Sequence, residues 1–139
     1  MSVLLDSSVL VAALSSDEDW HAECLALLLQ GQGAIYSHAL METFTTLTGG
    51  KLGSRISADF AAQLLSQTVR PRVQIIELNA DELLEALQQA RQHGVRGGAV
   101  YDYAHLVAAR KAGVEMIYTL NLSDFQALRR QGDAEVRRP

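Results

Sequence analysis

The chain is poor in cysteine, proline and aromatic residues: one Cys, two Pro and 6% Phe, Trp and Tyr among 139 residues. The lone Cys24 cannot close an internal disulfide. That excludes a disulfide scaffold and a cysteine-cluster zinc site, and it fits a reducing cytoplasm. With so little proline and no Gly-x-y period, collagen-like and Pro-rich classes are excluded too. No run approaches the roughly 18 apolar residues of a membrane helix, so no membrane association is expected. Val3 to Leu14 is apolar enough to resemble a signal-peptide core. No Lys or Arg precedes it, however, Asp6 interrupts it, and Asp17, Glu18 and Asp19 stand where a small-residue cleavage site belongs. It reads as mature structure.

A basic surplus is also missing. The net charge is -4, which does not suit a general nucleic-acid binder. The charge is unevenly spread: residues 1–69 carry seven acids against Lys51 and Arg55, while residues 70–139 carry nine acids against ten bases. Arg129, Arg130, Arg137 and Arg138 crowd the last eleven residues, which read as a solvated basic tail following a core of about residues 2–128.

What the chain does have is alternation. Hydrophobic residues reach 48%, and the length suits one domain with its own core. Val3-Leu4-Leu5 is a short apolar run ended by a charge, as in a buried parallel strand. Ser7 or Ser8 can cap a helix carrying Val9, Leu10, Ala13 and Leu14. A second helix runs from about Asp19 to Leu29 with Cys24, Leu25, Leu28 and Leu29 on one stripe. Ala34-Ile35-Tyr36 is a strand, and Ser37 opens a helix with Leu40, Phe44 and Leu47 on its apolar side, closed by Gly49-Gly50. Ser57 to Val69 reads as a helix bounded by Pro71, and Val73 to Leu78 as a strand. Asn79 or Asp81 starts a long helix to about His93 with Leu83, Leu84, Leu87 and Ala90 inward. Tyr101 to Ala112 is a helix, Met116-Ile117-Tyr118 a fourth strand, and Val136 admits a short edge strand. Such alternation predicts an α/β fold: one parallel sheet of about four to five strands with helices on both faces.

In open parallel sheets, functional residues lie past the carboxyl ends of the strands. Asp6 follows the first strand, Asp102 opens the helix before the fourth, and Asn121 and Asp124 follow the fourth. Glu42 lies on the helix after the second. The set can gather at one rim. Each acid also has an ordinary role: Asp6 and Asp124 as helix caps, Asp102 as a partner of the helix dipole, Glu42 as a solvated side chain. Asp6 and Asp102, however, stand in apolar flanks, where an unpaired carboxylate costs several kcal/mol. Few bases lie nearby in sequence. A hard divalent ion would neutralise the set, and oxygen-only ligation suits Mg²⁺ or Mn²⁺.

Four segments carry a resemblance: Val-Leu-Leu-Asp-Ser-Ser-Val-Leu-Val-Ala-Ala-Leu, Ser-His-Ala-Leu-Met-Glu-Thr-Phe, Gly-Gly-Ala-Val-Tyr-Asp-Tyr-Ala-His-Leu-Val-Ala-Ala-Arg, and Ile-Tyr-Thr-Leu-Asn-Leu-Ser-Asp-Phe. In this order and spacing, from about Ser2 to Leu128, the chain resembles PIN-domain proteins, and among them the VapC-type toxins of toxin–antitoxin pairs. The family's acidic positions fall on Asp6, Glu42 and Asp102. Its fourth position, after Thr119, falls on Asn121 with Asp124 close by, so either can complete the site. The resemblance implies a Mg²⁺- or Mn²⁺-dependent endoribonuclease toxin with an RNA substrate, a cognate antitoxin and a homodimeric state. In that reading Asp6, Asp102 and Glu42 hold metal, Asp124 joins the catalytic set, and Thr119 supports a ligand carboxylate. Gly97 and Gly98 either let an RNA backbone approach or form a plain turn.

Other classes fit less well. Asp102 and His105 share a helix face, but no third nitrogen or sulfur has zinc spacing with them among His21, His38 and His93. Trp20, Tyr101 and Tyr103 can stack on bases or serve as core. A phospho-acceptor receiver domain needs paired acids where Asp6 is followed by serines, and an acid where Asn79 stands. Closer to the resemblance stand a stand-alone PIN-like RNA-processing nuclease and a catalytically weak PIN module that binds RNA or protein.

Overall fold

A computed structural model describes residues 2–50 and 55–139. Five strands, β1 (Val3–Leu5), β2 (Gly33–Tyr36), β3 (Val73–Ile76), β4 (Met116–Tyr118) and β5 (Glu135–Arg137), form one sheet in the order β3-β2-β1-β4-β5. All four pairings are parallel. Chain order reverses at β1: the next strand goes to one side and β4 to the other, creating a switch point at the carboxyl ends of β1 and β4.

Among the described residues seven α-helices cover the sheet: α1 (Ser7–Leu14), α2 (His21–Leu29), α3 (His38–Gly49), α4 (Ala58–Leu64), α5 (Ala80–Gln88), α6 (Ala99–Ala112) and α7 (Leu122–Leu128). Strand side chains alternate between two cores. Leu4, Ala34, Tyr36 and Ile117 pack with Tyr103, Leu106, Phe125 and Leu128 from α6 and α7. Leu5 and Ile35 face the other way, onto Val9, Leu10, Cys24, Leu28, Ala39 and Val69. Phe125 is completely buried, worth about 1.5–3 kcal/mol by apolar transfer. This is the α/β sheet with helices on both faces that the alternation predicts.

Several details differ from the sequence reading. Of the two cap readings the sequence allows for α1, Asp6 is realised, its side chain accepting from the Val9 amide, and Ser7 or Ser8 is not. Leu29, Leu84 and Leu87 are 54%, 57% and 51% exposed. The helix expected to reach His93 ends at Gln88, and Ala90–His93 form a 3-10 turn. The half-buried apolar residues of this segment are Leu83, Ala86 and Ala90, and the small alanines let it approach α6, where the Tyr103 hydroxyl donates to the Ala86 carbonyl (2.9 Å). On α3 the buried stripe is Ala39, Thr43 and Leu47, with Leu40 and Phe44 half-buried on its flank. β3 ends at Ile76, and Asn79 caps α5 in a reciprocal capping box with Glu82. Residues 65–69 continue α4 as a wider π-helical turn before Pro71.

The last eleven residues are not a solvated tail. Val136 is buried in β5, and buried Asp133 pairs with Arg110 of α6 and accepts from the Arg130 amide (2.9 Å). No helix among the described residues is long and apolar enough to cross a membrane.

Candidate active site

Asp6 sits at the switch point, 1% exposed. The Ser8 hydroxyl donates to its Oδ1 (2.6 Å), as does the Val9 amide (3.2 Å). The Thr119 hydroxyl, just past β4, donates to its Oδ2 (2.7 Å). The two hydroxyls are themselves anchored: Ser8 Oγ accepts from the Leu120 amide and Thr119 Oγ1 from the Asn121 amide, both at 2.9 Å. Three donors reduce the cost of this buried carboxylate, yet burial still raises its pKa against them.

Asp102, half-buried in the first turn of α6, has its pKa pushed up to about 6. Burial is the main cause. His105 opposes it, while the charges of Asp6, Asp124 and Glu42 raise it further. Asp102 and Asp124 line one cleft of about 470 Å³ with Gly94, Gly98, Ala99, Ala127 and Leu128. Gly98 lies on that wall, and a Cβ added at Gly97 or Gly98 meets nothing within 4 Å.

Glu42 is tied to histidines. His105 Nε2 lies 2.8 Å from its Oε1 and His38 Nδ1 lies 3.6 Å from its Oε2. Burial pushes the Glu42 pKa up, but His105 and then His38 outweigh it and the net shift is downward. His105 is fully buried between Tyr36 and Phe125, edge-on to both, and its Nδ1 has no partner. Asn121 is exposed at the start of α7, its side chain making no cap, and Asp124 is exposed one turn on. His21 and His93 lie elsewhere: His21 Nδ1 contacts the Ala12 carbonyl (2.7 Å) and His93 packs on Tyr103.

The structure thus joins Asp6 to Thr119, Asp102 to Asp124, and Glu42 to His105, with Asp102 electrostatically coupled to the other acids. Among the described residues no Lys or Arg forms an ion pair with Asp6, Glu42, Asp102 or Asp124. No three His, Cys, Asp or Glu side chains there close into a ready-made metal shell. The donor chemistry nevertheless suits a hard cation: the acids offer oxygen alone, and beyond the effect of burial the charges of Asp6, Asp124 and Glu42 add to the rise at Asp102. Sequence reasoning does not single out Ser8 or the Glu42–His105 pair as site features. The one signal for the pair is a histidine three residues after Asp102, set in the otherwise uncharged stretch Tyr103 to Ala109.

A family model, the PIN domain, matches residues 3–130. The chain belongs to the PIN-domain family. This PIN domain is 29% identical over 112 residues to ribonuclease VapC27 of Mycobacterium tuberculosis, covering 81% of this chain and 80% of the relative. Its fold is similar to the crystal structure of Mycobacterium tuberculosis VapC20, a sarcin-ricin loop cleaving toxin, with TM-score 0.70 and 25% identity over 99% of this chain and 100% of that one. It is also similar to DNA-bound VapBC from Salmonella typhimurium, with TM-score 0.67 and 17% identity over 99% of this chain and 98% of that one. The latter likeness is one of fold.

Proposed function

We propose that residues 1–139 act as one PIN domain, a Mg²⁺- or Mn²⁺-dependent endoribonuclease serving as the toxin of a toxin–antitoxin pair in the cytoplasm. The observation that carries this reading is the gathering of acids at the switch point: Asp102 and Asp124 line one cleft, Asp6 and Glu42 lie close enough to act on Asp102, and none of the four has an ion-paired Lys or Arg among the described residues. The likeness to VapC27 and VapC20 supports RNA as substrate. The fold's likeness to VapBC supports an antitoxin partner, and a homodimer is what the family resemblance implies.

Asp6 and Asp102 would hold the ion, with Glu42 holding a second ion or positioning the attacking water and Asp124 or Asn121 completing the set. When bound, the cation supplies Lewis-acid polarisation of the scissile phosphate and of a water. Thr119 and Ser8 fix the Asp6 carboxylate in one orientation, so ligation needs no side-chain search. Glu42, its pKa held down by His105 and His38, would offer an ionised oxygen to a second ion or to the attacking water while His105 holds Oε1. Asp124, exposed beside Asp102, reaches the cleft without desolvation cost.

The test is cleavage of single-stranded RNA by purified protein with Mg²⁺ or Mn²⁺, with EDTA, and with the protein encoded next to it. Cleavage that needs the ion and is inhibited by the neighbour is expected; cleavage that persists in EDTA contradicts the reading. If Asp124 completes the site, Asp124→Asn lowers the rate far more than Asn121→Ala. Small equal losses mean the site runs on three acids.

A further inference from the structure

Tyr101 stands immediately before Asp102 on α6 and is 54% exposed. One face of its ring lies parallel to the His38 imidazole, with centroids 5.4 Å apart and planes 7° apart. His38 in turn stacks on the buried Tyr36 at 6.2 Å, and Tyr36 meets His105 edge-on. A continuous aromatic stack therefore runs from the core to the surface. It passes beside Glu42, which both histidines contact.

The other large exposed hydrophobic residues among the described ones are Leu29, Met41, Leu84 and Leu87, flexible aliphatic side chains with no π-face, and Trp20 and Phe60, whose rings stack on no other described ring. Tyr101 differs in being supported: His38 covers one face and stiffens the ring, while more than half of its surface stays open. A flat ring held rigidly loses little entropy when a second ring lies on it. Its neighbours are carboxylates, which repel free phosphate but leave an uncharged base face unopposed.

We propose that Tyr101, backed by His38, is the platform on which one nucleobase of a single-stranded RNA stacks, setting which nucleotide lies beside Asp102 and Glu42. This rests on the ribonuclease reading above. Tyr101 is a specificity-determining residue in this role, and His38 is a positioning residue acting through it. The stack carries no hydrogen-bond code, so it fixes register more than base identity.

The test uses the full-length protein and a short single-stranded RNA that it cuts, carrying one 2-aminopurine at successive positions. Tyr101→Ala is expected to raise KM about tenfold, the scale of losing one base–aromatic stack, with kcat changed less than about twofold. Tyr101→Phe restores the wild-type KM, and His38→Ala gives an intermediate value. Fluorescence quenching at one RNA position, lost in Tyr101→Ala and kept in Tyr101→Phe, is the signature that a structural role would not produce. Wild-type KM and quenching in Tyr101→Ala overturn the platform while leaving the nuclease intact. So does a defect that follows a change in oligomeric state measured on the same samples. A wild-type protein that neither binds nor cuts RNA removes the nuclease reading and the platform together.

Discussion

Asp6 has both carboxylate oxygens engaged by hydroxyl donors from residues whose own positions are fixed by backbone amides. Thr119→Val keeps the shape but strips one donor from a buried carboxylate, and is expected to lower stability by about 1–3 kcal/mol; urea denaturation checks this. Asp102 behaves differently. Its folded pKa of about 6 lies above the ordinary 3.8, so the folded state holds a proton that the unfolded chain releases. In EDTA, the contribution of Asp102 to stability is therefore fully present below about pH 4, is lost as pH rises through 4 to 6, and is absent above. The shift corresponds to about 3 kcal/mol at most, which solvent screening of this half-buried group reduces to about 1–2. Asp102→Asn should raise the metal-free melting temperature at pH 7.5 and lose that advantage at pH 4, as calorimetry at the two pH values would show. Asp6 and Asp102 are legible in sequence because a carboxylate inside an apolar run is costly. Their partners are not: Thr119 is 113 residues from Asp6, and His105 is 63 from Glu42, and no local pattern encodes such contacts.

Strands β1, β2 and β4 follow from short apolar runs ended by a charge, a turn or a cap, and their boundaries match to within a residue. Helix faces are harder. Side-chain size points Leu83, Leu84, Leu87 and Ala90 inward on the helix expected to run to His93, whereas the structure half-buries Leu83, Ala86 and Ala90 and leaves Leu84 and Leu87 more than half exposed. Leu84→Gln should therefore change stability by less than about 0.5 kcal/mol, measured by thermal melting; a loss of several kcal/mol would place that side chain in a core. The C-terminal segment is the reverse case. Its arginines suggest solvation, but Asp133 pairs with Arg110 and Val136 is buried beside β4. Asp133→Ala is expected to destabilise the fold by about 1–3 kcal/mol, read by urea denaturation.

At the scale of the molecule, the reversal of strand order at β1 brings the ends of β1 and β4 together, and the helices entering from both faces deliver the remaining acids. The architecture is legible because strand–helix alternation leaves few topologies, and the rim where the acids gather follows from the same rule. What alternation does not encode is spacing between side chains from different elements, so the Glu42–His105 pair emerges only in three dimensions, whereas His38 and Glu42 are i, i+4 neighbours on α3. The central claim is that these acids form one metal-dependent nuclease site. It is tested most directly by the RNA cleavage rate of Asp102→Asn beside wild type in saturating Mn²⁺, both proteins verified as folded. The account predicts a rate lower by at least about a hundredfold, as when a group needed only in the transition state is lost; an undiminished metal-dependent rate in Asp102→Asn would contradict it.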